Sequence, residues 1–201
     1  MNTMISAWRK AWNNNFPFYY VQIAPFKYDN YHIGALLREA QTKNLSTERT
    51  GMVVISDLVT DTLNIHPTNK KDVGLRLANL VLAETYGLKK GPYKNPLYKT
   101  YTVSGSTAVI DFDNAETGLM LKGKIPKEIF IAGTDKVFYP ATIKIKGNKI
   151  IVSSKHVKIP AAVRYQFSNA GIGNLFGKTS LPVAPFRTDN WQVDTAKVKR
   201  Q

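Results

Sequence analysis

Residues 16–26 read FPFYYVQIAPF. The run is apolar and aromatic almost throughout and lacks polar alternation, as expected of a strand covered on both faces. A strand of that kind lies between helices, so its neighbours decide the fold class. Residues 3–12 carry a helical signal that ends near Asn13–Asn15. NYHIGALLREAQTKN (30–44) sets Ile33, Leu36, Leu37 and Ala40 on one side of a second helix. GMVVISDL (51–58) is a second short buried strand, opened by Gly51. NKKDVGLRLANLVLAETYG (69–87) is the strongest helix of the chain, with Val73, Leu77, Leu80, Val81 and Glu84 at helical spacing. Asn69 can cap it, Asp72 falls at the third helical position, and Gly87 supplies the stop. Helix, strand, helix, strand, helix predicts an α/β layer with parallel strands over residues 1–90.

The period changes after Gly87. GLKKGPYKNP (87–96) has the glycine, proline and charge of a domain edge. From residue 91 to Trp191 the signal is a series of short strands of period two: KTYTV, TAVIDFD, EIFIAG, ATIKIK, KIIVSS and AAVRYQF. Gly147-Asn148 between two alternating runs is a hairpin signal. Closely spaced strands of this kind predict a β-sandwich over 91–191. The end of the chain, 192–201, is polar and reads as a frayed tail.

The 201 residues suffice for one large domain or two small ones with a real core. There is no cysteine, which excludes disulfides, a thiol nucleophile and cysteine-ligated metal. No stretch approaches the roughly 18 uninterrupted apolar residues of a membrane span, and the first residues show no signal peptide. The net charge of +14 is unevenly spread. Residues 1–90 hold 11 basic and 7 acidic side chains, residues 91–201 hold 17 and 7. A nucleic-acid footprint would cluster Arg and Lys with stacking aromatics. These lysines are scattered through alternating strands, as in IKIKGNKIIV (143–152), which reads as a solvated basic face.

DTLNIHPTNKK (61–71) places His66 just ahead of the strongest helix and behind Asp57 and Asp61. Hydrolytic triads need a base within reach of a nucleophile and a carboxylate that orients the base. An α/β sheet delivers such groups at the carboxyl ends of its strands. The competing reading is a polar loop that caps a helix.

WRKAW, FPFYYVQIAPF, LLREAQ, NIHPTNKKDVGLRLANLVLAETYG, IDFDNAETGL, IAGTDKVFYPA, AVRY and LPVAPFRTDNW together resemble the C-terminal part of the sialate O-acetylesterases. These are carbohydrate esterases with an SGNH-like domain, and the resemblance covers residues 4–191. It implies the C-terminal part of a three-layer SGNH-like α/β domain followed by a β-sandwich, and hydrolysis of O-acetyl esters on sialic acid or a related acetylated sugar. It implies that His66 is the catalytic histidine and that an aspartate completes the triad. The position three residues before His66 is Leu63, and the residue two before it is Asn64, so Asp57 of the SDL motif and Asp61 both stand as candidates. Arg38 and Gln41 of LLREAQ match a family motif and are candidate substrate-binding residues. No metal and no organic cofactor is implied. A periplasmic or secreted location is expected for the full-length family.

The family carries its nucleophilic serine in a Gly-Gln-Ser-Asn block. No such block is present, and no serine here lies in a G-x-S-x-G elbow. Ser106 follows Gly105 in an expected hairpin turn. The chain is therefore expected to be a fragment that supplies a base and an acid, with trace activity alone. Self-association, or pairing with the missing N-terminal part, follows from that expectation. The alternative is a non-catalytic carbohydrate-binding module. DFDNAETG (111–118) has a faint likeness to a calcium loop but lacks the central glycine and distant glutamate. His32 and His156 have no spaced carboxylate partners.

Overall fold

The computed structural model describes residues 1–89 and 91–197. It is a mixed α/β chain in which most strands lie in antiparallel sheets. The N-terminal half holds α1 (Asn2–Ala11), β1 (Phe18–Val21), α2 (Ile33–Lys43), β2 (Thr50–Val53) and α3 (Lys70–Tyr86). β1 and β2 pair in parallel, Phe18 opposite Thr50 and Val21 opposite Val53.

Alternation along these two strands feeds two separate cores. Tyr20, Met52 and Val54 pack with Ala184 of the C-terminal half. Tyr19, Val21, Val53 and Ile55 pack with Val73, Leu77 and Leu80 of α3. Gly51 permits that approach: a Cβ there would stand 2.7 Å from the Tyr19 ring and 3.0 Å from Leu80. α3 starts where its sequence says. Oδ1 of Asn69 accepts from the Asp72 N–H at 3.1 Å, and Nδ2 of Asn69 donates to the Asp72 carboxylate at 2.8 Å. Gly87 ends it at φ 69°, a left-handed stop.

Both buried strands are shorter than their apolar runs. The run 16–26 yields four residues of strand, because side chains of α2 take over after Val21. Nε2 of Gln22 donates to the carbonyl of Arg38 at 3.1 Å and to Oγ1 of Thr42 at 3.0 Å. The Ile23 N–H donates to Oε1 of Gln41 at 2.8 Å. The run 51–58 becomes β2 and then a 3-10 turn, Ser56–Leu58.

The C-terminal half holds β3 (Leu97–Ser104), β4 (Thr107–Asp113), β5 (Leu119–Leu121), β6 (Ile129–Ala132), β7 (Phe138–Pro140), β8 (Thr142–Lys146), β9 (Lys149–Ser153), β10 (Ala162–Tyr165), β11 (Leu175–Gly177) and β12 (Phe186–Arg187). Two four-stranded antiparallel sheets, β3-β4-β9-β8 and β12-β10-β6-β7, and the pair β5-β11 hold them. Gly105 and Gly147, both with positive φ, turn the β3–β4 and β8–β9 hairpins. Ile110, Phe112, Ile150 and Val152 from the first sheet meet Ile129, Ile131, Val163 and Tyr165 from the second in one core.

The end of the chain is held where it is described. The Tyr31 N–H donates to the carbonyl of Ala196 at 2.9 Å, and Nδ2 of Asn30 donates to that of Thr195 at 2.9 Å. The frayed tail expected over 192–201 is thus docked through residues 194–197, and residues 198–201 lie outside the described residues. Lys90 of the expected domain edge also lies outside them. Across that edge, Oδ1 of Asn95 accepts from the Val54 N–H at 3.1 Å, and its Nδ2 donates to the carbonyl of Pro182 at 2.8 Å.

Candidate functional site

The carboxyl ends of β1 and β2 point the same way, and the segments that leave them meet. The Lys27 N–H donates to the carbonyl of Thr62 at 2.8 Å. The loop after β2 carries His66 and both candidate acids, Asp57 and Asp61. It has no run of ladder hydrogen bonds; it is shaped by short polar side chains. Oδ1 of Asp61 accepts from the Leu63 N–H at 2.8 Å, and Oδ1 of Asn64 accepts from the His66 N–H at 2.9 Å. The second of these turns sets His66 on the surface, and no described residue hydrogen-bonds its ring.

Asp57 is placed differently. The 3-10 turn that follows β2 aims it at α3, where Nη1 and Nη2 of Arg76 donate to its two oxygens, each at 2.7 Å. Nη1 of Arg76 also donates to the carbonyl of Val54 at 2.7 Å. Both side chains are 13% exposed, so this is a largely buried, bidentate pair with its remaining capacity partly used. Neither Asp57 nor Asp61 is hydrogen-bonded to His66. The neighbouring Oγ of Ser56 is buried and has no hydrogen-bond partner among the described residues.

Arg76 did not figure among the sequence-derived candidates. Its signal was a charged residue beside the apolar row Val73, Leu77 and Leu80 of α3, close enough to that row to reach under the β2 turn.

The residues of LLREAQ lie between the two halves. Arg38 is 1% exposed, and Nη1 donates to the carbonyl of Asn169 at 3.3 Å while Nη2 donates to that of Ser168. Burial lowers its pKa to about 10, against the opposing pull of Tyr28 and Glu128. Its Nε has no partner among the described residues. Glu39 receives Nε and Nη2 of Arg187, both at 3.0 Å. Gln41 braces the chain after β1 through the Ile23 N–H. Arg187 and Asp189 belong to the PFRTDNW stretch, and Asp189 takes a second bidentate pair from Arg164 at 2.8 and 2.9 Å. Phe167 lies between the guanidinium groups of Arg164 and Arg187, 4.9 Å from each. Arg38 and Gln41 thus brace the backbone around them, Arg38 fully buried and Gln41 half-buried beside a cleft it shares with Leu37 and the start of α1.

The other constellations are occupied by local partners. Asp111 and Asp113 pair with Lys149 and Lys99 at 2.7 and 2.8 Å. The His156 ring stacks on Tyr139 with centroids 4.9 Å apart, and Nδ1 of His32 meets the carbonyl of Asp194 at 3.0 Å. Among the described residues no group of three or more acidic, histidine or cysteine side chains is placed to hold a metal ion. No described helix is long and apolar enough to cross a membrane.

Parallel α/β strands with a polar, histidine-bearing loop at their carboxyl edge, backed by antiparallel sheets, define a chain of the mixed α/β class. A solved structure with this architecture is that of a carbohydrate acetylesterase from Xanthomonas citri: TM-score 0.84, 41% sequence identity, 94% of this chain covered. The match takes in 45% of that protein, so this chain spans less than half its length. No family model and no curated protein matches the chain.

Proposed function

We propose that this chain is the base-carrying part of a carbohydrate acetyl-ester hydrolase, with O-acetylated sialic acid or a related acetylated sugar as substrate. The supporting observation is the likeness over 94% of the chain, at 41% identity, to a carbohydrate acetylesterase. On this reading residues 1–90 are the last part of a three-layer SGNH-like domain and residues 91–191 a β-sandwich packed on it.

His66 takes the proton of a serine hydroxyl as that oxygen attacks the acetyl carbonyl, then returns it to the departing sugar oxygen. Water repeats the cycle on the acetyl-serine and releases acetate. The imidazolium formed in each half-reaction needs a carboxylate. Asp61 suits this better than Asp57, because both oxygens of Asp57 are committed to Arg76 and only one oxygen of Asp61 is committed, to a local turn. The serine and the oxyanion donors come from outside these 201 residues.

The test is turnover of p-nitrophenyl acetate by the chain alone and by a fusion in which it replaces the matched segment of the Xanthomonas citri acetylesterase. We expect trace turnover from the chain and turnover from the fusion that is lost in His66→Ala. A fusion that works equally well with alanine at 66 would sink the proposal, as would robust turnover by the chain alone that is abolished by substituting one of its own serines.

A further inference from the structure

α2 starts without a cap of its own. Its N-cap position is His32, which has φ 53° and gives the helix no side-chain hydrogen bond. The first N–H groups of a helix need acceptors from outside it. Asn169, on the segment that follows β10 in the C-terminal half, supplies one: its Oδ1 accepts from the Gly34 N–H at 2.8 Å. That is the bond an N-cap side chain makes to the second helical residue. Gly34 leaves room for it, since a Cβ there would stand 3.0 Å from the Tyr28 ring and 3.3 Å from that oxygen.

The other groups of Asn169 hold the loop between β1 and α2. Its Nδ2 donates to the carbonyl of Asn30, and its own carbonyl accepts from the Phe26 N–H at 3.1 Å. One residue thus fixes this loop at Phe26, Asn30 and Gly34. Next to Phe26, the Lys27 N–H donates to the carbonyl of Thr62, just ahead of the Asn64–His66 turn. Two hydrogen bonds therefore lead from Asn169 to the loop that carries His66. Residues 63–66 of that loop are exposed and have no ladder to hold them. A segment with few buried contacts takes its place from the few bonds it makes to rigid parts. A catalytic group misplaced by about 1 Å can lose about 100-fold in rate.

We infer that Asn169 is a positioning residue: it fixes the β1–α2 loop and, through Lys27 and Thr62, the place of the His66 ring. It acts through backbone groups and makes no hydrogen bond to the histidine itself. The C-terminal half thereby takes part in the reaction by holding the base in place. Glu39 fastens the same helix to the C-terminal half by a different route, through Arg187. The inference rests on the function proposed above for its catalytic meaning, but the link from Asn169 to the His66 loop is tested without turnover.

Amide hydrogen exchange and the NMR signals of the His66 ring are measured on the 201-residue chain with Asn169→Ala and, as control, with Glu39→Gln, which loosens the junction elsewhere. We expect Asn169→Ala to speed exchange at Lys27 at least ~10-fold and to shift the His66 signals, and Glu39→Gln to do neither. Asn169→Asp keeps the oxygen that caps α2 and removes the donor to Asn30. It should speed exchange at Lys27 to a smaller degree, and it decides the question if the alanine variant does not fold. In the fusion, at a temperature where it stays folded, Asn169→Ala should lower kcat for p-nitrophenyl acetate at least ~10-fold and leave KM within about twofold. Unmoved Lys27 exchange and His66 signals in the Asn169 variants overturn the inference. Equal changes in Glu39→Gln, or an unchanged kcat in an active fusion, overturn it too. Moved His66 signals beside a fusion that shows no His66-dependent turnover would keep the link from Asn169 to the His66 loop and discard the proposed function.

Discussion

Asp57 and Arg76 form a two-pronged pair, 2.7 Å at each prong, and His66 stands apart from it on the loop surface. The acid nearest the carboxyl end of β2 is thereby a structural partner of α3. Removing Arg76 leaves a largely buried carboxylate uncompensated, so Arg76→Met should cost about 3 kcal/mol of stability. Asp57→Asn should cost a similar amount, and the double variant less than the sum. Urea denaturation of the three variants measures this. Asp57→Asn with unchanged stability but lost turnover in the fusion would instead make Asp57 the orienting acid.

His66 behaves in the opposite way. Its ring is exposed and touches no described hydrogen-bond partner, so His66→Ala should shift stability by less than about 0.5 kcal/mol. The same variant should lose the turnover of the fusion. Thermal melting and an ester assay on one preparation separate the two effects, and a large drop in melting temperature would show a structural histidine.

Glu39 gives the junction a pH dependence. Burial works to raise its pKa, but the bonds from Arg187 and Lys43 outweigh that and hold it below the ordinary carboxylate value. A carboxylate lowered in the folded state contributes its stability fully above the unfolded value of about 4.3, and loses it as pH falls through the folded value. Stability should therefore fall on acidification below about pH 5. Glu39→Gln should flatten that slope, read as melting temperature against pH. An unchanged slope would place the acid sensitivity elsewhere.

Asn69 holds the start of α3 by a reciprocal pair with Asp72. Asn69→Ala should cost about 1 kcal/mol, and Asn69→Ser should recover most of it. Denaturation midpoints decide this, and equal midpoints for all three would mean that α3 is held by packing alone.

The local grammar of the chain was legible. The cap at Asn69, the stop at Gly87, the Gly147-Asn148 hairpin and the parallel pairing of two apolar runs each follow from neighbouring residues. Strand lengths were not, because Gln22 and Gln41 spend their amides on helix and strand backbone in a way that no period reveals. The partners of Arg38 and Glu39 were not legible for a related reason. Their partners, Ser168, Asn169 and Arg187, lie more than a hundred residues away, and a charged helical pair looks the same whether it faces a ligand or another sheet. The tie between Asp57, one of the two candidate acids, and Arg76 was not legible either, since the arginine sits about two turns into the next helix.

α2 works as a rivet between the halves. Two adjacent residues, Arg38 and Glu39, fasten it to the C-terminal half at two points, the 168–169 carbonyls and Arg187. A shortened chain ending near residue 90 would strand the buried Arg38 guanidinium without the 168–169 carbonyls and would bare Tyr20, Met52 and Val54 to water. The halves should therefore melt as one calorimetric unit, and a shorter version made by trimming away the β-strands would lose the scaffold that holds its own helix in place.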